Sequence, residues 1–266
     1  HNFARPAAMT TRVLAALALA AASKAAVQTF EDVCVPTTEE EKAVLAKEVT
    51  SYMHNWRYKL KIREVQGLAK PDPRQPAILA YLVRHRLLRK GMNVLDLGSA
   101  AGSVLKMVRD ELDKNGGHGV LTGVEFVPGW VAAGNEALGG TAQLFEGDIT
   151  DFTFALPAPT YDLIMMNDSM EHIMANRYAC LFRRLRQYTK PGSVVYIHVP
   201  SPETQLDDKG QYFENVVPPH LLIEGMAAYG FQLRHYGQDM RTLNGIKNRR
   251  GTYKYVDILF QRASTD

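Results

Sequence analysis

The 266-residue chain reads as an α/β protein built on a mostly parallel sheet. Three observations predict this class. Short apolar runs alternate with helical patterns between residues 76 and 235, the run from Val94 ends in a turn of small residues, and the last two runs alternate in polarity. Alternating strand and helix signals are what a parallel sheet covered by helices requires. With 46% hydrophobic and 22% charged residues, the chain can bury one large core and is too short for two full domains with linkers.

In chain order, residues 1–30 stand apart. Val13 to Ala22 is unbroken and apolar, too short for the roughly 20 residues that span a bilayer. Arg5, Arg12 and Lys24 flank it and the first acid is Glu31, so residues 9–26 fit a secretory signal or an organellar transit peptide, or else an Ala-rich helix packed on the domain. Without such targeting, the protein is expected in the cytoplasm. Residues 31–75 form an N-terminal helical extension: Val44, Leu45, Val49, Tyr52, Met53, Trp56 and Leu60 recur at spacings of three and four. Lys70 to Pro76 is a proline-rich break, and Ile78 to Leu88 supplies a helix before the first strand, within a domain expected over 76–266.

The first strand carries Val94-Leu95-Asp96-Leu97 into Gly98-Ser99-Ala100-Ala101-Gly102-Ser103. Glycine permits positive φ and close approach of the main chain to a ligand, and the helix that follows opens with unpaired N–H groups. An acid two residues before the first glycine suits a cationic or hydroxyl-bearing ligand better than a pyrophosphate. A second strand, Leu121 to Phe126, ends in Glu125, where an acid can accept two ribose hydroxyls. Leu144 to Ile149 holds Asp148, Tyr161 to Asp168 is a fourth strand, and Lys190-Pro191-Gly192 turns into a fifth. Pro218-Pro219 opens a late helix, and Phe231 to Tyr236 and Tyr253 to Gln261 read as a closing hairpin.

These segments together resemble the class I, Rossmann-like, S-adenosylmethionine-dependent methyltransferases, and Asp168-Ser169-Met170-Glu171-His172 resembles the D-x-x-E-H segment of the ubiquinone-pathway type and related small-molecule O- and N-methylating enzymes. The resemblance implies a three-layer α/β/α sandwich whose seven-stranded, mostly parallel sheet ends in an antiparallel hairpin. It implies S-adenosyl-L-methionine as cofactor, held by Asp96, Gly98, Ser99, Ala100, Gly102, Glu125, Phe126, Asp148, Ile149 and Asn167. Ala100 departs from the family's central glycine. In many family members a leading helical segment closes over the site as a lid, which makes Tyr52, His54, Trp56 and Tyr58 candidate substrate contacts.

Catalytic chemistry is expected after the fourth strand, in Asn167-Asp168-Ser169-Met170-Glu171-His172, because open α/β sheets bind ligands beyond the carboxyl ends of their strands. An alcohol or phenol acceptor must lose a proton as it attacks, and histidine can take it near neutral pH. His172 is the candidate general base, with Glu171 or Asp168 orienting it or stabilising its charge. A metal site of the kind used by small-RNA 2′-O-methyltransferases would need a further histidine, and Gln211 to Asn215 offers none; no metal is expected.

The expected partner is a small-molecule acceptor. A net charge of +3 does not argue for nucleic acid. Basic clusters at Arg57–Arg63, Arg84–Lys90, Arg183–Lys190 and Lys247–Arg250 read as solvated faces. An RNA-modifying enzyme and a catalytically silent, partner-binding subunit are the competing readings. Cys34 and Cys180 cannot make a disulfide framework and are expected to be structural or incidental thiols.

Overall fold

The computed structural model describes residues 33–35, 38–41, 43–44, 47, 53, 56–151, 154–207 (backbone only at 206–207), 215–237 and 255–264. All belong to the unit Glu31–Asp266. The leader-like residues 1–30, the substrate candidates Tyr52 and His54, the basic stretch Lys247–Arg250 and the segment Gln211–Glu214 lie outside the described residues.

Seven strands form one sheet: β1 Val94–Leu97, β2 Leu121–Glu125, β3 Gln143–Glu146, β4 Tyr161–Asn167, β5 Thr189–Pro200, β6 Phe231–Gly237 and β7 Tyr255–Arg262. Their spatial order is β3-β2-β1-β4-β5-β7-β6. The first five run parallel, while β7 pairs antiparallel with both β5 and β6. Every residue of β1 and β2 is buried, as expected for strands covered on both faces. The described helices are α1 Trp56–Val65, α2 Arg74–Arg84, α3 Ser103–Lys114, α4 Pro128–Leu138, α5 Tyr178–Gln187, α6 Pro202–Asp207 and α7 Pro219–Ala228.

Local chemistry explains most boundaries. Helix α3 buries Val104, Leu105, Val108 and Leu112 on one face, against Val94 and Leu121 of the sheet. Proline opens α4 and α7, where a missing N–H costs nothing. Helix α2 begins at Arg74, earlier than the proline-rich break suggests, because Pro76 falls in its first turn. After β5 the chain turns into the short α6.

The thiol expectation for the cysteines is corrected. Cys34 and Cys180 form a disulfide, with Cα atoms 4.6 Å apart across a sequence separation of 146. Neither residue has a local signal for this; the packing of α5 brings Cys180 to the N-terminal segment.

Candidate active site

The carboxyl ends of β1, β2 and β4 meet at one edge, where in-register pairing sets Asp96 beside Gly123 and Met165. Beyond that edge lies a cavity of about 700 Å³. Its walls come from the β1 turn (Gly98, Ser99, Ala100), the end of β2 (Glu125, Phe126), Asp148 and Ile149, and the segment Asn167–Arg177.

The β1 turn is shaped by backbone sterics. Gly98 has φ 78°, and a Cβ there would lie 2.5 Å from the Cβ of Ser169. Ala100 occupies the left-handed region at φ 47° although it is not glycine, which costs about 1–2 kcal/mol. Its N–H donates to Glu125 Oε2 at 2.8 Å, and Val127 N–H donates to Oε1 at 2.9 Å. These bonds tie the turn to the end of β2 and offset the strain. Gly102 is the α3 N-cap at φ 82°, packed toward Leu138 and Leu144; it shapes the turn from behind and does not line the cavity.

Asp96 is 1% exposed and accepts a hydrogen bond from Asn167 Nδ2 at 3.3 Å. Burial pushes its carboxyl up to about 7; Asn167 opposes the shift and the charge of Glu125 adds to it. Burial likewise raises Glu125, against its hydrogen bonds from Val127, Ala100 and Phe126. Two acids poised this way favour a ligand that brings hydroxyl donors or positive charge. Buried oxygens on the cavity-lining Ser99 (Oγ), Asn167 (Oδ1) and Asp168 (Oδ1) have no hydrogen-bond partner. The residues present therefore fit a nucleoside with a cationic, amino-acid-like tail.

Past β4, Asp168 adopts φ 50° and its N–H donates to the carbonyl of His198 at 2.9 Å. A 3₁₀ turn, Met170–His172, then buries Met170 and Glu171 and leaves His172 exposed. Glu171 is 2% exposed, while His172 is exposed and lines the cavity. Burial and the charge of Glu171 hold Tyr178 above the usual phenol range.

Asp168 pairs with Arg74. That guanidinium also donates to Asp72, at 3.0 Å from Nε and 2.6 Å from Nη2, and to Tyr255 Oη at 2.9 Å. Burial pulls Asp72 up, but Arg74 outweighs it and holds the carboxyl at about 2. Burial lowers Arg74, yet the charges of Asp168 and Asp72 keep it firmly protonated. Burial and the charge of Asp168 raise Tyr255, leaving a neutral phenol in the cavity wall. Sequence reasoning missed Arg74 and Tyr255. Arg74 sits in a proline-rich break with no periodic signal, and Tyr255 reaches the site only because β7 lies beside β5.

Asp148 accepts from Thr150 N and Oγ1, both at 2.8 Å, and pairs with Arg177 at 3.3 Å. Arg177, also missed, is 5% exposed. Among the lid candidates Trp56 lines the cavity and is 67% exposed. Tyr58 does not line it: its ring stacks on Trp130 at 5.9 Å, and its carbonyl accepts from Trp130 Nε1 at 3.2 Å. Among the described residues no His, Cys, Asp and Glu group of three or more is placed to hold a metal ion, and no helix is long and apolar enough to cross a membrane.

A seven-stranded sheet with antiparallel β7, a glycine-bearing turn after β1 and strand-end acids at one edge define a class I methyltransferase, whose methyl donor is S-adenosylmethionine. A family model described as "Methyltransferase domain" matches residues 73–241, and the chain belongs to that family. Among solved structures, a S-adenosylmethionine-dependent methyltransferase from Clostridium acetobutylicum ATCC 824 is similar with TM-score 0.55 at 12% identity, covering 83% of this chain and 100% of that one. Geranyl diphosphate C-methyltransferase from Streptomyces coelicolor A3(2), in complex with Mg2+, geranyl diphosphate and S-adenosyl-L-homocysteine, has TM-score 0.55 at 14% identity over 70% of this chain and 79% of that one. These likenesses show the fold. Among curated proteins, Ribosomal RNA large subunit methyltransferase E from Anaeromyxobacter sp. (strain Fw109-5) is 53% identical over 47 residues, 18% of this chain. The chain thus spans 16% of that relative's length.

Proposed function

We propose that this methyltransferase acts on an oxygen or nitrogen of a small-molecule acceptor, with His172 as the general base. The observation that carries the reading is the cavity itself: about 700 Å³ at the strand edge, with His172 exposed in its wall next to Asp168 and Glu171. That volume lies within the range of small-molecule sites.

When bound, S-adenosylmethionine supplies a methyl group on a sulfonium for in-line displacement, a reaction in which positioning provides much of the rate. Glu125 would take the ribose hydroxyls, with Phe126, Asp148 and Ile149 around the base. Asp96, Gly98, Ser99, Ala100 and Asn167 would receive the amino-acid end. His172 removes the acceptor proton, and buried Glu171 stabilises the positive charge the imidazole gains. Asp168 is held by Arg74 and contributes negative charge to the same wall. Trp56, Arg57, Leu60 and Lys61 of α1 line the cavity, which supports a lid role for the extension 31–75 over a catalytic domain 76–266.

The test is a screen of metabolite and RNA fractions with labelled cofactor, repeated with His172→Ala. Label transfer to a metabolite, lost in the variant, is expected. The short match to an RNA methyltransferase favours RNA as the second reading. Nanomolar, sequence-selective RNA binding at physiological salt would reverse the ranking, because non-specific binding fades steeply with salt.

A further inference from the structure

The N-terminal segment is tied down twice, once to α5 and once to Arg177, which lines the cavity. Cys34 is covalently joined to Cys180 in α5. Seven residues later, Glu41 Oε2 accepts from Arg177 Nη2 at 2.7 Å, and Arg177 lies three residues before Cys180. Arg177 in turn pairs through Nη1 with Asp148, which lines the cavity beside Ile149.

Glu41 is itself set by a capping box. Thr38 N–H donates to Glu41 Oε2 at 2.8 Å, and Glu41 N–H donates to Thr38 Oγ1 at 3.1 Å. The hydrogen bond from Thr38, aided by Arg177, keeps the Glu41 carboxyl below its ordinary range. The buried Arg177 guanidinium thus bridges one carboxylate on the tethered segment and one on the cavity wall. A buried cation holds its geometry only while its anionic partners stay in place. A tether raises the effective concentration of the segment at its docking site, so cutting it weakens the ionic contact too.

We propose that Arg177 is a positioning residue for the nucleoside end of the cofactor, aligned by Glu41 on a strap latched by the Cys34–Cys180 disulfide, so that cofactor affinity follows the redox state of that pair. The inference rests on the reading that Asp148 faces the adenine end. The switching step is thiol–disulfide exchange with a dithiol reductant. A thiolate attacks the half-buried Cys34 sulfur, the bond to Cys180 breaks, and a mixed disulfide forms. The second thiol of the reductant resolves it, so two electrons and two protons pass to the cysteines and the reductant leaves as its own disulfide. With the strap released, Glu41 withdraws, Arg177 is drawn toward Asp148, and Asp148 turns from the cavity.

Calorimetric titration with S-adenosylhomocysteine and with adenosine tests this on three samples: oxidised chain, chain reduced with a dithiol, and oxidised Glu41→Gln. Glutamine keeps the capping box and removes the charge facing Arg177. Reduction and Glu41→Gln should each weaken both ligands about tenfold, the scale of one lost charge-assisted contact. Reoxidation should restore the first, and the melting temperature of Glu41→Gln should stay near that of the parent. Equal loss for adenosine, which lacks the amino-acid end, places the effect at the nucleoside end, and the unchanged melting temperature of Glu41→Gln separates it from a general loosening of the fold, which would weaken every ligand alike. Unchanged affinities after reduction, with two titratable thiols confirmed, overturn the latch while leaving the cofactor site intact. Free thiols in the oxidised sample, or wild-type affinity in Glu41→Gln, also overturn it. No binding by the oxidised chain fails the cofactor-site reading and the latch with it.

Discussion

Replacing Asp96 by Asn should stabilise the ligand-free protein increasingly as pH rises from acid to neutral, while removing its cofactor affinity. Asp96 is 1% exposed, and burial raises its carboxyl from 3.8 to about 7, despite a hydrogen bond from Asn167 and helped by the charge of Glu125. The folded state therefore holds this proton more tightly than the unfolded chain does. Its contribution to stability is greatest below pH 3.8 and is lost as pH rises toward 7. A shift of about 3 pKa units corresponds to about 4 kcal/mol, with roughly 2 kcal/mol already lost by pH 5. Asparagine keeps the shape and cannot ionise, so it avoids this loss. The difference in stability should open from near zero at pH 4 and level off above pH 7. In a chain of this size about 4 kcal/mol corresponds to roughly 8–16 °C in Tm. Thermal melts of both proteins from pH 4 to 8.5, with and without S-adenosylhomocysteine, measure it. Parallel pH curves, or a variant less stable at every pH, would refute the reasoning. So would a ligand-induced Tm rise in the variant equal to that of the wild type.

Three further outcomes are expected. Glu125→Ala should weaken S-adenosylhomocysteine binding by about 1–3 kcal/mol in calorimetry, since it removes the acceptor for the ribose and for the Ala100 N–H. His172→Ala should lower kcat by about 10²–10⁴-fold with cofactor Kd unchanged; full activity would remove His172 from the mechanism. Gly98→Ala should destabilise the fold by about 1–3 kcal/mol in denaturant unfolding, because φ 78° and the 2.5 Å approach to Ser169 leave no room for a methyl group.

The first half of the sheet was legible because its signals are local. An apolar run ending in an acid marks both strand and strand end within a few residues, so Asp96 and Glu125 could be read where they stand. The same locality hid Ala100: its left-handed backbone depends on Glu125, which arrives from the neighbouring strand. In Glu171-His172 both residue types suit the chemistry and both line the cavity, and only the folded turn decides that the glutamate is buried and the histidine exposed.

By itself, the sequence determined the α/β class, the order of the strand-end acids and the family, because strand period, turn chemistry and helix period are properties of short stretches of chain. The tertiary structure alone decided that Arg74 joins Asp72, Asp168 and Tyr255, that Arg177 spans Glu41 and Asp148, and that Cys34 meets Cys180. Most of these partners lie far apart in the chain. Their contacts exist only once β7 has inserted beside β5 and α5 has packed its buried face, and no pattern of spacing encodes a meeting set by the burial of surfaces from both ends of the molecule.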